Sequence, residues 1–406
     1  MWEQIRSNRI RSVVLASGMG IVLLVLGYFI GLFFFDSGIG GLILALVIWA
    51  FMNLIAYFQG DSILLGLSRA KKITRDDHPR LYNIVEEMKI ASGLEKMPDI
   101  YIIEDPALNA FATGRDKNKA SVAVTSGLLQ KLNRDELQGV IGHEMAHINN
   151  RDVLLMTMCG ILLGTIVILG WYASRFMIFG SVAGGRRSSS SSGGGGAAQL
   201  IIIIVAIVLM ILAPILAQLI YFAISRKREY LADASSALYT RYPEGLASAL
   251  EKLAASTTQL KSANNATAPM YIINPFRKQG RAAADLTSTH PPISERIRIL
   301  RSMSGGASLG DYNNAFVGVH GSRKGVLSAP AVAAAGAVPL RAAAPLEEKA
   351  EPGEIQRARE TSDALWHLNN YKTVTCDCGT RFRIPPAFRG SSIRCPHCGR
   401  TNPVVR

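Results

Sequence analysis

Four long uncharged runs limit what this chain of 406 residues can become: Val13–Phe35, Ile39–Phe58, Val153–Ala173 and Leu200–Ile224. Each approaches or exceeds the roughly 20 apolar residues a helix needs to cross the hydrocarbon of a bilayer. Only Asp36-Ser37-Gly38 separates the first two, so they read as a helical hairpin, and the other two form a second pair. Pro214 lies inside the last run, where a membrane helix tolerates it better than a soluble one does. Burying four such lengths in a soluble protein would need an unusually large core. The hydrophobic content of 49% agrees with four membrane spans joined to soluble parts.

The short basic flanks orient them. Arg6, Arg9 and Arg11 precede the first span, and Arg69, Lys71, Lys72 and Arg75 follow the second, which places both ends of that hairpin in the cytoplasm. The second hairpin leaves near Arg151 and returns at Arg226, Lys227 and Arg228; Arg175, Arg186 and Arg187 in its outer loop weaken the bias without reversing it. The first apolar run is too long for a signal peptide and lacks a small-residue cleavage site, so it reads as retained. The expected location is the cytoplasmic (inner) membrane, multi-pass, with the soluble domain and both termini on the cytoplasmic side. A net charge of +14 suits basic flanks on an anionic leaflet and would equally suit a nucleic-acid patch.

The chain divides into a hairpin (1–59), a mixed soluble segment (60–152), a second hairpin with a flexible Ser/Gly loop (153–224) and a mainly helical soluble segment (225–303). A linker of little fixed structure (304–348), a bridging helix (349–370) and a small compact unit (371–406) complete it. Leu81, Ile84, Val85 and Met88 have helical spacing, ending at Gly93. Ile100–Ile103 and Ser121–Val124 read as strands, Ser126–Leu132 as a short helix, and Thr257–Arg281 as an exposed loop. Asn133 with Glu136 is a capping signal for the next helix. His78, His320 and His367 have no partners at ligand spacing and read as surface or loop residues; Cys159 reads as a small apolar filler in a span.

That capped helix carries His143-Glu144-Met145-Ala146-His147. Positions i and i+4 share a helix face, so both imidazoles can aim at one ion. Glu144, about 100° around the helix, can reach a water on that ion and act as general base. A catalytic zinc needs a third protein ligand and one open position. Glu229 adjoins the last span as the histidines adjoin the third, so hairpin packing would bring it to the same depth. Asp233, one turn on, could orient a ligand imidazole from behind, or be an ordinary surface acid. Asp152 has the same two readings, with the bland one favoured.

These motifs, followed by Asn150-Arg151-Asp152, Ser225-Arg226 with Glu229-Tyr230-Leu231-Ala232-Asp233, and Ser288-Thr289-His290-Pro291-Pro292 with Arg296-Ile297, resemble the HtpX-type membrane zinc endopeptidases, relatives of the CAAX prenyl proteases. The resemblance covers roughly residues 1–302. It implies a gluzincin fold with Glu229 as third ligand and a cytoplasmic site that cleaves damaged or misassembled membrane proteins. It also implies that Asn109, Ala110, Phe111 and Ala112 lie on an edge segment where substrate is held extended, as in strand addition. His290 and Arg296 are implied near the metal, where either could stabilise the oxyanion. Arg296 reads equally well as a structural ion pair, and Asn109 as a turn former.

The C-terminal unit is extra to that pattern. Cys376, Cys378, Cys395 and Cys398, each pair closed by a glycine, suit a second, structural zinc in a ribbon, with His397 as a possible substitute ligand. A disulfide is disfavoured in a reducing cytoplasmic tail. Arg381, Arg383, Arg389, Arg394 and Arg400 make the unit basic, but only Phe382 and Phe388 could stack on bases, so nucleic acid is not expected and a protein partner or lipid is.

The expected class is therefore membrane α-helical plus α+β: four transmembrane helices, a cytoplasmic zincin-like peptidase domain and a zinc ribbon. The expected function is zinc metalloendopeptidase in membrane-protein quality control. The alternatives are an inert membrane adaptor recruiting a partner through the ribbon, and a prenyl-protein processing protease.

Overall fold

The computed structural model describes residues 2–154, 171, 211, 226–261, 268–273, 275, 290–321, 324–327, 329–333, 336–341 and 351–404. The second expected hairpin, with Cys159, lies almost wholly outside them. The first is present as α1 (Trp2–Phe35) and α2 (Gly38–Leu67), with Ser37 Oγ capping α2 by accepting from the Gly40 N–H at 3.0 Å. Glycines let the two helices touch: a Cβ on Gly31 would sit 2.4 Å from Gly41 Cα, and one on Gly41 2.2 Å from Gly27 O. Among the described residues, α2 is the helix long and apolar enough to cross a membrane, with a shorter apolar stretch at Gly20–Leu32 in α1. Val47, Phe51, Leu54 and Phe58 on α2 are exposed.

The C-terminal turns of α2 enter the soluble body. There β1 (Ala70–Lys72), β2 (Asp99–Ile103), β3 (Ala110–Asp116) and β4 (Lys119–Thr125) form one sheet in the order β1-β2-β4-β3, with β2 and β4 parallel and the other pairs antiparallel. Alternation along the strands assigns the faces. Ile100, Ile102, Ala110, Ala112, Val122 and Val124 join the core beneath α3 (Pro79–Ser92) and α5 (Arg134–Asn149). Ile103, Phe111 and Ala123 turn to the opposite face, against Leu64 and Leu65 of α2 and Tyr271.

α4 (Ser126–Lys131) leads to the reciprocal cap of α5, in which Glu136 N–H donates to Asn133 Oδ1 and Asn133 N–H to Glu136 Oε2, each at 2.8 Å. α6 (residues 226–240), α7 (Pro243–Ala255) and α8 (Ile293–Arg301) complete the body around α5.

Three expectations need correction. The stretch 304–348, read as a linker, contains α9 (Leu309–His320), whose Tyr312 and Ala315 are buried in the main core. Residues 270–273, inside the stretch read as an exposed loop, are buried against β3. His78 is also buried, because its Nδ1 caps α3 by accepting from the Leu81 N–H at 3.2 Å; burial first, then Arg80, lowers its pKa to about 4.

The bridging helix is present as α10 (Glu354–Leu368). It lies on α4, where Arg357 Nε donates to Gln130 O at 3.1 Å and Lys131 pairs with Glu354 at 3.2 Å. Beyond it, two hairpins, β5–β6 (Lys372–Thr375 with Arg381–Ile384) and β7–β8 (Ser392–Arg394 with Thr401–Pro403), each carry two cysteines. Gly379 (φ 85°) and Gly399 (φ 76°) take the left-handed turn that closes each cysteine pair.

Candidate metal centre

The helical spacing of α5 does what the sequence pattern requires: His143 Nε2 and His147 Nε2 stand 3.2 Å apart, with both rings buried. α6 crosses them and brings Glu229, whose Oε2 is 3.5 Å from His143 Nε2 and whose Oε1 is 3.5 Å from His147 Nε2. Nitrogen and oxygen donors at about 2.0–2.1 Å from one tetrahedral ion stand about 3.3–3.4 Å apart, close to these separations, and Glu229 turns one oxygen towards each imidazole, so the three side chains could hold one zinc. The chemistry around it agrees. Among the described residues neither oxygen of the buried Glu144 carboxylate has a hydrogen-bond partner, while Glu229 Oε2 is met at ion-pair distance by His143 and His290 at 3.5 Å and by Arg296 at 3.7 Å. A carboxylate left bare inside a protein is costly unless a cation or water answers it.

Behind each imidazole stands a carboxylate, and behind each carboxylate an arginine. Asp233 Oδ1 is 3.0 Å from His143 Nδ1, and Arg296 grips Asp233 with two bonds, Nε to Oδ2 at 2.8 Å and Nη2 to Oδ1 at 2.7 Å. Asp152 Oδ2 is 3.3 Å from His147 Nδ1, with Arg228 Nε 3.5 Å from Asp152 Oδ1. Such partners fix the tautomer and aim of a ligand imidazole. The bland reading of Asp152 is thus corrected: Arg151 takes a left-handed φ of 59° just past α5 and turns Asp152 back towards His147.

Charge follows from the geometry. Burial works to lower the His143 pKa, but hydrogen bonds to Asp233 and Glu229 carry it up to about 9. Burial raises Glu144, opposed chiefly by the imidazoles of His143 and His147. Glu229 is held well below the carboxylate range: burial opposes, but His290 and the two ligand histidines prevail. His290, whose Nε2 is 3.5 Å from Glu229 Oε2, is lowered to about 4 chiefly by burial and enters the site uncharged. A proton held by His143 must leave before an ion binds. Zinc affinity, measured against a competing chelator, is therefore expected to rise about tenfold per pH unit from pH 7 to 8.5. An affinity flat across that range would contradict the proton assignment.

Of the other expected site residues, Arg296 reaches the centre, with Nη1 3.7 Å from Glu229 Oε2, but its strong bonds go to Asp233 and to Ile272 O at 3.2 Å. The ion-pair reading describes it. Among the described residues β3 is an edge strand, as expected for the segment of Ala110, Phe111 and Ala112, and Ala112 lies beside Glu144. Phe111 points away, edge-on to Tyr271 at 5.1 Å between ring centroids. Asn109 and Ala110 are already engaged: Asn109 Oδ1 accepts from the Ala110 N–H at 3.1 Å, Asn109 Nδ2 donates to Ile273 O at 3.1 Å, and the Ile272 N–H donates to Ala110 O at 3.0 Å.

In the C-terminal unit, Cys376 Sγ and Cys398 Sγ are 3.5 Å apart, and Cys378 Sγ and Cys395 Sγ 3.7 Å. Thiolates at about 2.3 Å from one tetrahedral zinc stand about 3.8 Å apart, so the four sulfurs can hold an ion without His397.

Residues 75–304 match the family model described as Peptidase family M48. Among curated proteins, the chain is 45% identical over 302 residues to a "Protease HtpX homolog" of Dictyoglomus turgidum, covering 74% of this chain and 94% of the relative. A protein of the same description from Streptococcus mutans is 42% identical over 303 residues, covering 75% of this chain and all of the relative. The crystal structure of S. mikatae Ste24p aligns at 22% identity over 74% of this chain and 67% of that one, with a TM-score of 0.38.

Proposed function

This chain belongs to peptidase family M48 and is a metallopeptidase, and on that premise we propose that it is a membrane-integrated zinc endopeptidase that cuts damaged or misassembled membrane proteins on their cytoplasmic side. The convergence of His143, His147 and Glu229 in front of a Glu144 carboxylate that accepts no hydrogen bond among the described residues carries the reading. When bound there, zinc supplies Lewis acidity and makes water acidic enough to attack near neutral pH. Glu144, its own pKa raised, takes the proton of the attacking water and delivers it to the leaving amine. The uncharged His290 is placed to donate to the developing oxyanion. Arg296 acts through Asp233 as a positioning residue.

A peptide strand on the open edge of β3 would be held by backbone bonds, which read little sequence and suit substrates recognised by damage. The edge lies along α2: Phe111 packs with Leu64 and Leu65, while Arg115 lies over the Tyr57 ring, 5.6 Å from its centroid. The slot therefore runs down towards the apolar part of α2, where a membrane protein's exposed segment would arrive. The second hairpin would make the protein four-span, with both termini cytoplasmic. The four cysteines would hold a second, structural zinc, and the ribbon would offer a site for a protein partner.

The test uses the purified full chain, loaded with zinc, on an unfolded membrane protein in detergent. Fragments should form, stop on chelation and resume when zinc is restored. Intact substrate under zinc-replete conditions would contradict the reading.

A further inference from the structure

The backbone of β3 has two sides, and the register with β4 says which groups face out. The Thr125 N–H donates to Asn109 O at 3.0 Å, so odd-numbered residues of β3 bond to β4. Ala110, Ala112 and Gly114 present their N–H and C=O to the free edge. At Ala110 both groups are occupied, the N–H by Asn109 Oδ1 and the C=O by Ile272.

The segment that occupies it is built in. Met270, Tyr271, Ile272 and Ile273 are all buried, Tyr271 at 0% exposure. Tyr271 packs on Phe111 and bonds Ser68 Oγ at 3.3 Å, the Asn109 amide holds Ile273, and the Arg296 guanidinium binds Ile272 O while gripping Asp233. The same guanidinium reaches Glu229, so this segment stands one side chain from the metal ligands. At the other end of the strand, Arg115 lies beside Tyr57 of α2.

We propose that residues 270–273 are a fixed wall closing the Ala110 end of the substrate edge. The slot opens on the membrane side, holds peptide at Ala112 and Gly114, and makes the chain turn off the edge shortly past the scissile bond. With about 3.4 Å per residue, the wall lies about 7 Å beyond Ala112, room for roughly two residues. Addition antiparallel to β3, the slightly more stable ladder, directs the peptide's C-terminal flank at the wall and its N-terminal flank at the membrane. The protein therefore favours segments whose N-terminal side is the membrane-anchored one. This inference rests on the peptidase reading.

The experiment measures binding of fluorescent peptides to the zinc-loaded Glu144→Gln full chain, with wild-type protein mapping the cleaved bond in each peptide. Residues added on the N-terminal flank should tighten binding about 2- to 10-fold for each new backbone pair. Residues added on the C-terminal flank should stop contributing after about two. Asn109→Ala, which unclasps the wall, should move that plateau outward. Affinity that keeps rising with C-terminal length in the Glu144→Gln protein overturns the wall, whether or not the Asn109 variant folds. Failure of the wild type to cut any peptide overturns the peptidase reading instead.

Discussion

Glu144→Gln is expected to lower proteolysis by about 100- to 10,000-fold, the range that a positioned general acid–base contributes, while leaving zinc bound. The reason lies in the partition of the site. His143, His147 and Glu229 supply the converging donors, and Glu144 stands beside them, buried, with no hydrogen bond to either oxygen among the described residues. Glutamine keeps the shape and loses the proton acceptor. Stability should move the other way. Burial raises the folded pKa of Glu144 above its unfolded value, so in the metal-free protein its ionisation costs stability that grows as pH rises from about 4.5 through the raised pKa. The glutamine variant lacks that loss, and metal-free thermal denaturation at pH 7 should show it at least as stable as wild type. Retained activity would remove Glu144 from the mechanism. Loss of zinc along with activity would mean that Glu144 holds the ion rather than the proton.

Much of this centre was legible because its parts are local. The Asn133–Glu136 cap, the i, i+4 histidines and the Glu229–Asp233 turn are each written within a few residues, and each forms as written. Bringing Glu229 to the two histidines needed only the placement of α6 against α5. What escaped the sequence depends on the fold. Asp152 reaches His147 only because Arg151 adopts a left-handed turn, a conformation an arginine does not advertise. The wall at 270–273 has no periodicity to read: its Tyr271, Ile272 and Ile273 are buried by β3 and Arg296, which lie far away in sequence. α9 sits in a Gly- and Ala-rich stretch that composition makes resemble a linker. A readable sign was present there, since Ser308 and Asp311 form a reciprocal cap and Tyr312 follows to fill the core.

The C-terminal unit shows the opposite balance. Its cysteine spacing gave the four-sulfur cluster that could hold an ion, and the structure adds how it is carried. α10 is tied to α4, and Asn369 just past its end donates to Glu104, the residue after β2, at 3.1 Å.

Zinc counted per chain by elemental analysis bears most directly on the two donor sets. Wild-type protein purified with zinc should carry about two ions, one at each tetrahedral site. Glu229→Ala should carry about one, because two imidazoles alone are too few to retain the ion, and should be inactive with its ribbon still loaded. Cys376→Ser should also carry about one while keeping proteolysis. Two ions retained by Glu229→Ala would contradict the assignment of Glu229 as the third ligand.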